Sequence, residues 1–289
     1  MQTYGPNLTE TYVQNPALIE FMDLCTKYVS NLSEFKRYCV WRYTIGSASI
    51  NSFLIMGKLS SNATQWSYLF FKYYFNTFPN VRVPNPLLKL KNFFANPESF
   101  RLLPKDTQTK VANHLIVVYI NYMQDIIKKA PRTPGAFNVF KVASPYPGLP
   151  LSNDSLPAPV LQLPFNSTTI TPYFNFAPFL APNADCCLFS IKMPPGSMCL
   201  FVPQEYHAYP FELEIILPHD CVFEILSIEK AFLNTVDPKT VKMIEVQPKK
   251  DIEMGAVYRL NEYAPCGPLG CKIQRKQFNV YNCDYYNPS

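Results

Sequence analysis

Glu212 and Glu214 stand two residues apart in Phe211-Glu212-Leu213-Glu214-Ile215-Ile216-Leu217, a segment that is otherwise apolar. Read as a β-strand, it alternates. Phe211, Leu213, Ile215 and Leu217 share one face and the two carboxylates share the other, about 6–7 Å apart at ~3.3 Å of rise per residue. Paired carboxylates repel one another and lose hydration on burial, so a fold keeps them side by side only where their face opens to water or to a ligand. A wet-faced edge strand and a ligand-facing acidic pair both satisfy this pattern, and what the pair offers a ligand is negative charge. Upstream lies a run of hydroxyls, Ser167, Thr168 and Thr169, within Phe165-Asn166-Ser167-Thr168-Thr169. Lys141 is the cation of the short β-prone segment 137–142. Taken singly, Ser167 reads as an ordinary turn residue and Lys141 as a surface lysine. Their order along the chain is what makes them informative.

The elements that must position these residues divide into helices first and strands afterwards. Pro16 opens a helical segment with apolar Leu18, Ile19, Met22 and Leu24, since proline near a helix start lacks only a donor that is orphaned there anyway. A second helix is expected over 33–43, with Glu34 and Lys36 outward. A third is expected from Asn62, rich in Trp66, Tyr68, Phe70, Phe71, Tyr73 and Tyr74. A fourth is expected over 108–129, capped by Asp106 or Thr107. Lys128 and Lys129 complement the negative end of its dipole and Pro131 forbids its continuation. Beyond Pro131 the pattern turns to short runs between Pro- and Gly-rich turns. Strands are expected over 137–142, 186–193, 211–217, 222–228, 241–246 and near 256–260, with a proline-rich connection over 144–164. The class is therefore α+β.

Composition limits what such a chain does. The sequence holds 28 prolines, 22 phenylalanines and 19 tyrosines in 289 residues, so a fold of long helices alone is excluded. A net charge of +5 from 26 basic and 21 acidic residues, without a basic run, argues against nucleic acid as a partner. No stretch approaches the ~18 apolar residues of a membrane span. No basic segment followed by an apolar one opens the chain, so no secretory signal is expected. Nine scattered cysteines then read as reduced thiols in a cytoplasmic protein, of its own cell or of a host. Cys266 and Cys271 lack the spacing and partners of a zinc site, and no metal is expected. His207 and His219 read as loop or turn histidines, and His114 as a helix-surface or core residue.

Four segments in order now carry a resemblance. Val139-Phe140-Lys141-Val142, Ser167-Thr168-Thr169, Met193-Pro194-Pro195-Gly196-Ser197 and Glu212-Leu213-Glu214 resemble the mono-ADP-ribosyltransferases of the bacterial-toxin type. The pattern of that family is an aromatic-Arg strand, a Ser-Thr-Ser strand, an apolar strand with Pro-x-Gly, then Glu-x-Glu or Gln-x-Glu. The helix ending at Lys129 resembles the one that leads into the family's first core strand. The resemblance covers about residues 107–247. It implies an ADP-ribosyltransferase-like two-sheet β core over 107–289, ending in a C-terminal tail and binding NAD in a cleft. Residues 1–106 would form an N-terminal helical region packed on that core.

The resemblance also implies roles. Glu214 would stabilise the positive charge that grows on the ribose as its bond to nicotinamide breaks, a charge like that of glycoside hydrolysis. Ser167 would orient Glu214. Glu212 would hold or deprotonate the acceptor, and glutamate there implies an arginine of a target protein. Lys141, Phe140, Ser167, Thr168, Thr169 and Phe179 would bind NAD, and Tyr206, Tyr209 and Phe211 would meet the target. Lys141 departs from the pattern, because it stands where the family has an arginine that contacts NAD phosphate, and lysine lacks the planar fork. A catalytically weakened binding module, an NAD glycohydrolase and a structural or virion-associated protein remain alternatives, and the oligomeric state stays open.

Overall fold

The computed structural model describes residues 2–4, 14–45, 47, 50–51, 53–54, 102–143, 158–162, 166–170, 187–209, 212–219, 221–233, 239–248, 261–262 and 276–277. The helix expected from Asn62, the strand near 256–260, Phe179, Phe211, Cys266 and Cys271 lie outside them. The chain divides into two compact units, one of residues 1–30, 127–205 and 209–254, the other of 31–126, 206–208 and 255–289.

The first unit opens its helical part with α1, Pro16–Ser30. Asn15 caps it, its Oδ1 accepting from the amides of Ala17 at 3.0 Å and Leu18 at 3.3 Å, which satisfies donors that have no partner inside the helix. Leu18, Phe21, Cys25 and Val29 are buried at helical spacing, while Ile19 and Leu24 face outward. Burying each of the large apolar side chains contributes about 1.5–3 kcal/mol. Phe21 meets Phe137 with ring centroids 5.6 Å apart.

The strands of this unit are β1 (Gln2–Tyr4), β2 (Phe137–Ala143), β3 (Ala158–Gln162), β4 (Asn166–Thr169), β5 (Cys187–Met193), β6 (Leu200–Phe201), β7 (Glu214–Leu217), β8 (Cys221–Leu233) and β9 (Lys239–Pro248). They join in one nine-stranded sheet of order β1-β8-β9-β5-β2-β4-β7-β6, with β3 also on β8. The two-sheet organisation expected of the core appears as two groups of strands within this sheet. The four strands from β8 to β2 are paired extensively, β2 with β5 over seven residue pairs. The group β4-β7-β6 hangs on β2 by a single pair, Phe140 opposite Thr169. That seam lies beside the hydroxyl run.

β3 falls within the expected proline-rich connection 144–164, and β8 and β9 extend beyond their expected ends. A bulge between Ile225 and Ser227 lets the long pair β8 and β9 keep its ladder. The turn after β5 is locked to the segment that leads into β2: the Thr133 hydroxyl donates to the Pro194 carbonyl at 2.7 Å and accepts from the Ser197 amide at 2.8 Å. Gly196 makes this turn with φ 80°, a conformation that suits a residue without Cβ.

The second unit holds α2, Glu34–Ile45, and most of α3, Lys105–Lys129. α3 starts three residues earlier than expected, with the Gln108 amide bonded to the Pro104 carbonyl at 2.9 Å. The boundary expected between 106 and 107 lies inside its first turn. Within this unit Tyr119 on α3 donates to the Cys39 carbonyl at 2.6 Å, and Lys36 pairs with Asp125 at 2.8 Å. β10 (Asn261–Glu262) and β11 (Lys276–Gln277) form a separate antiparallel pair. Cys25, Cys39, Cys187, Cys199 and Cys221 are buried and outside any disulfide, and burial pushes the Cys25 thiol up to about 12. Among the described residues no helix is long and apolar enough to cross a membrane.

Candidate active site

β4 lies between β2 and β7 and presents its four residues to opposite sides. Side chains alternate along a strand, so Asn166 and Thr168 share one face while Ser167 and Thr169 share the other. On β7, Glu214 stands directly opposite Thr169 and Ile216 opposite Ser167. Phe140, Thr169 and Glu214 thereby form one transverse row across β2, β4 and β7. Ser167 joins this row diagonally: its hydroxyl donates to Oε1 of Glu214. Glu214 is 3% exposed. A carboxylate so deeply placed is held in one orientation by that hydroxyl, because few other rotamers keep an acceptor oxygen on a donor.

Glu212 reaches the site differently from the way simple alternation implies. The expected strand over 211–217 begins only at Glu214. Leu213 takes φ 47°, in the left-handed region, at a cost of roughly 1–2 kcal/mol for an L-residue. The Glu212 amide donates to the Tyr209 carbonyl at 2.9 Å. The Glu212 carbonyl accepts the Thr169 hydroxyl at 3.1 Å. A carboxylate oxygen of Glu212 and one of Glu214 lie within 4.8 Å of one another. Glu212 stays partly exposed while Glu214 is buried, so the two carboxylates meet different surroundings.

Thr168 has a structural bond, its hydroxyl donating to the Ile215 carbonyl at 2.6 Å across the ladder. Lys141 does not join the acidic row. Its Nζ donates to Oδ1 of Asn166 at 2.7 Å, and Asn166 belongs to the face of β4 opposite Ser167. Burial pushes the Lys141 ammonium down to about 8, in keeping with a partner that is a neutral amide rather than a carboxylate. Arg132, before β2, is exposed. Tyr209 is exposed to 43% and Tyr206 is partly buried. His219 is buried in the turn after β7, and His207 is likewise buried.

Sequence reasoning passed over two residues that organise this geometry. Asn166 directly precedes the hydroxyl run, but nothing local to it marks a bond to a lysine 25 residues away. Leu213 carried no signal either, since leucine has no preference for left-handed backbone.

No protein-family model matches the chain, and no curated protein matches it in sequence. Solved structures do match. Plx2a, an ADP-ribosyltransferase toxin from Paenibacillus larvae, superposes with a TM-score of 0.50 at 15% identity, covering 86% of this chain and 100% of that one. Vis, an ADP-ribosyltransferase from Vibrio splendidus, gives 0.49 at 16% identity, over 90% of this chain and 93% of the other. The enzymatic component C2-I of the C2 toxin from Clostridium botulinum gives 0.46 at 16% identity, over 81% of this chain and 47% of that one. At such identities the likeness is one of architecture. The chain has the α+β fold of the bacterial mono-ADP-ribosyltransferase toxins.

Proposed function

We propose that this protein transfers ADP-ribose from NAD to a side chain of a target protein, with arginine the favoured acceptor. The observation that carries the reading is the Ser167 hydroxyl set on the buried Glu214 carboxylate, with the Glu212 carboxylate beside it. A fold shared with an ADP-ribosyltransferase toxin supports it.

In this reading Glu214 faces the ribose of NAD and stabilises the positive charge that grows on the anomeric carbon as nicotinamide leaves with the bonding electrons. Ser167 keeps Glu214 in the orientation that does so. Glu212, nearer to solvent, holds the incoming guanidinium and takes the proton released when its nitrogen bonds to that carbon. Phe140 and Thr169 line the same row and Phe179 joins them in the NAD-binding set, while Thr168 serves that set from the other face by bonding β4 to β7. Tyr206, Tyr209 and Phe211 meet the target. Lys141 supplies the positive charge for the NAD phosphates as a point charge rather than a fork, and must leave Asn166 to do so.

The test is incubation with labelled NAD and a cell lysate, comparing wild type with Glu214→Gln. The expected result is a labelled protein band and free nicotinamide, both lost in the variant. Nicotinamide without a labelled band identifies water as the acceptor and replaces the transferase reading with a glycohydrolase. Absence of both overturns the enzymatic reading.

A further inference from the structure

Leu213 is the one non-glycine residue with positive φ among the described residues, at 47°. Nothing in a leucine side chain favours this conformation, and strained backbone persists only where its surroundings over-determine it. Here both flanks are pinned. On one side Glu212 is held through its amide by the Tyr209 carbonyl and through its carbonyl by the Thr169 hydroxyl. On the other side Glu214 is held by its pairing with Thr169, and its carbonyl accepts the Val202 amide at 3.0 Å. Leu213 absorbs the reversal of direction between them. The Leu213 side chain is itself only partly buried, so it is the backbone at this position, more than the side chain, that the fold uses.

We propose that the left-handed backbone at Leu213 is the positioning device that holds the Glu212 carboxylate against Glu214, and that it thereby directs ADP-ribose to a protein acceptor rather than to water. This rests on the transferase reading above. An extended residue at 213 would draw the Glu212 amide and carbonyl off Tyr209 and Thr169 and so release its carboxylate from the position it holds beside Glu214. Ser167 would still hold Glu214. Cleavage of NAD and delivery to protein are then separable by one backbone angle.

The experiment compares Leu213→Asn with Leu213→Val. Asparagine visits the left-handed region readily, whereas a β-branched residue there is a genuine outlier. Protein labelling and nicotinamide release are measured on the same samples, with thermal unfolding as the control for folding. The expected result is labelling within about twofold of wild type for Leu213→Asn. For Leu213→Val a loss on the order of tenfold or more is expected, with nicotinamide release much less affected. A packing role predicts the reverse order, because valine preserves an apolar side chain and asparagine does not. Equal labelling by Leu213→Val and wild type overturns the proposal, as does parallel loss of labelling in both variants. Should Leu213→Val not fold, Leu213→Ala takes its place, with a Cβ but no branch. If the wild type releases no nicotinamide, the transferase reading fails and the role in transfer fails with it. The unfolding midpoints then decide the backbone claim by themselves: the asparagine variant at or above wild type and the valine variant below it supports the left-handed turn, and the reverse order overturns it.

Discussion

Ser167 donates its hydroxyl hydrogen to Oε1 of Glu214 across the β4–β7 ladder, and both side chains lie on the face that carries Thr169. The serine therefore acts through the glutamate, and the two should not behave as independent contributors. Glu214→Gln is expected to lower nicotinamide release by about 10²–10³-fold, the usual loss when a group that stabilises developing charge is removed. Ser167→Ala is expected to cost about tenfold, since the carboxylate remains but is less well oriented. The double variant should be no slower than Glu214→Gln alone, because groups acting as a unit are not additive. Initial rates for the four proteins decide the matter, and multiplicative losses would show the two residues acting separately.

Lys141 makes a signed statement about pH. Its folded-state value is lowered from 10.5 to about 8 by burial, so between these limits the unfolded chain binds more protons than the folded one. Stability contributed by this residue therefore rises as pH increases from about 8 to about 10.5. Below that window both states are charged and the desolvation cost is constant; above it both are neutral and the cost is gone. Urea unfolding of wild type and Lys141→Met across this range should show their difference shift in favour of wild type by on the order of 3 kcal/mol. The slope is the test rather than the offset, because methionine also removes the bond to Asn166. A difference that stays flat with pH means the ammonium is not desolvated.

How far the sequence reveals this arrangement depends on the kind of interaction that decides each part. α1 was legible at its start, which Pro16 marks, but only partly in its inner face: Leu18 is buried, whereas Ile19 and Leu24 face outward and Phe21, Cys25 and Val29 complete the buried stripe. α3 was legible at its end, where Lys128, Lys129 and Pro131 stop it, but not at its start three residues before the expected one. β2 and β5 were legible as β-branched and aromatic runs bounded by turns. The Ser167–Glu214 contact was expected from motif order, not from local physics, since it joins residues 47 apart in the chain. Two features were not legible. The kink at Leu213 goes with a long-range bond from Thr169 to the Glu212 carbonyl, against the alternation that the surrounding apolar residues advertise. The contact of Lys141 with Asn166 depends on β2 and β4 meeting at one residue pair, a seam that no local pattern encodes.

Thr133 should matter to stability and not to chemistry. It is 2% exposed. Its hydroxyl both donates to Pro194 and accepts from the Ser197 amide, and its carbonyl accepts the Gly196 amide at 2.8 Å. Thr133→Val keeps the shape and removes the hydroxyl, leaving the Ser197 amide only its longer bond to the Pro194 carbonyl at 3.2 Å, which costs about 0.5–1.5 kcal/mol. Thr133→Ser keeps the bonds and should lose less. Denaturant unfolding gives the order wild type, Ser, Val, while nicotinamide release per folded molecule should remain unchanged. A fall in turnover at full folding would place this turn in the catalytic machinery instead.

Gly135 is required by closeness rather than by its backbone angles. A Cβ at this position would lie 2.6 Å from Cβ of Ala17, in the first turn of α1. The approach is fixed by Asn15, which caps α1 through Oδ1 and donates from Nδ2 to the Ala136 carbonyl at 3.3 Å. Helix start and strand start are thus tied together one residue away from the contact, and neither can retreat without losing a cap. Gly135→Ala is therefore expected to destabilise the protein by about 1–3 kcal/mol, the usual range for overpacking. Ala17→Gly alone should cost up to about 1 kcal/mol through helix propensity. The double variant exchanges the two side chains across the contact and should be more stable than the sum of the single losses implies. Unfolding free energies of the four proteins test this: a positive coupling places the clash at the Ala17–Gly135 contact, and strict additivity would mean that α1 and the β2 entry move apart freely.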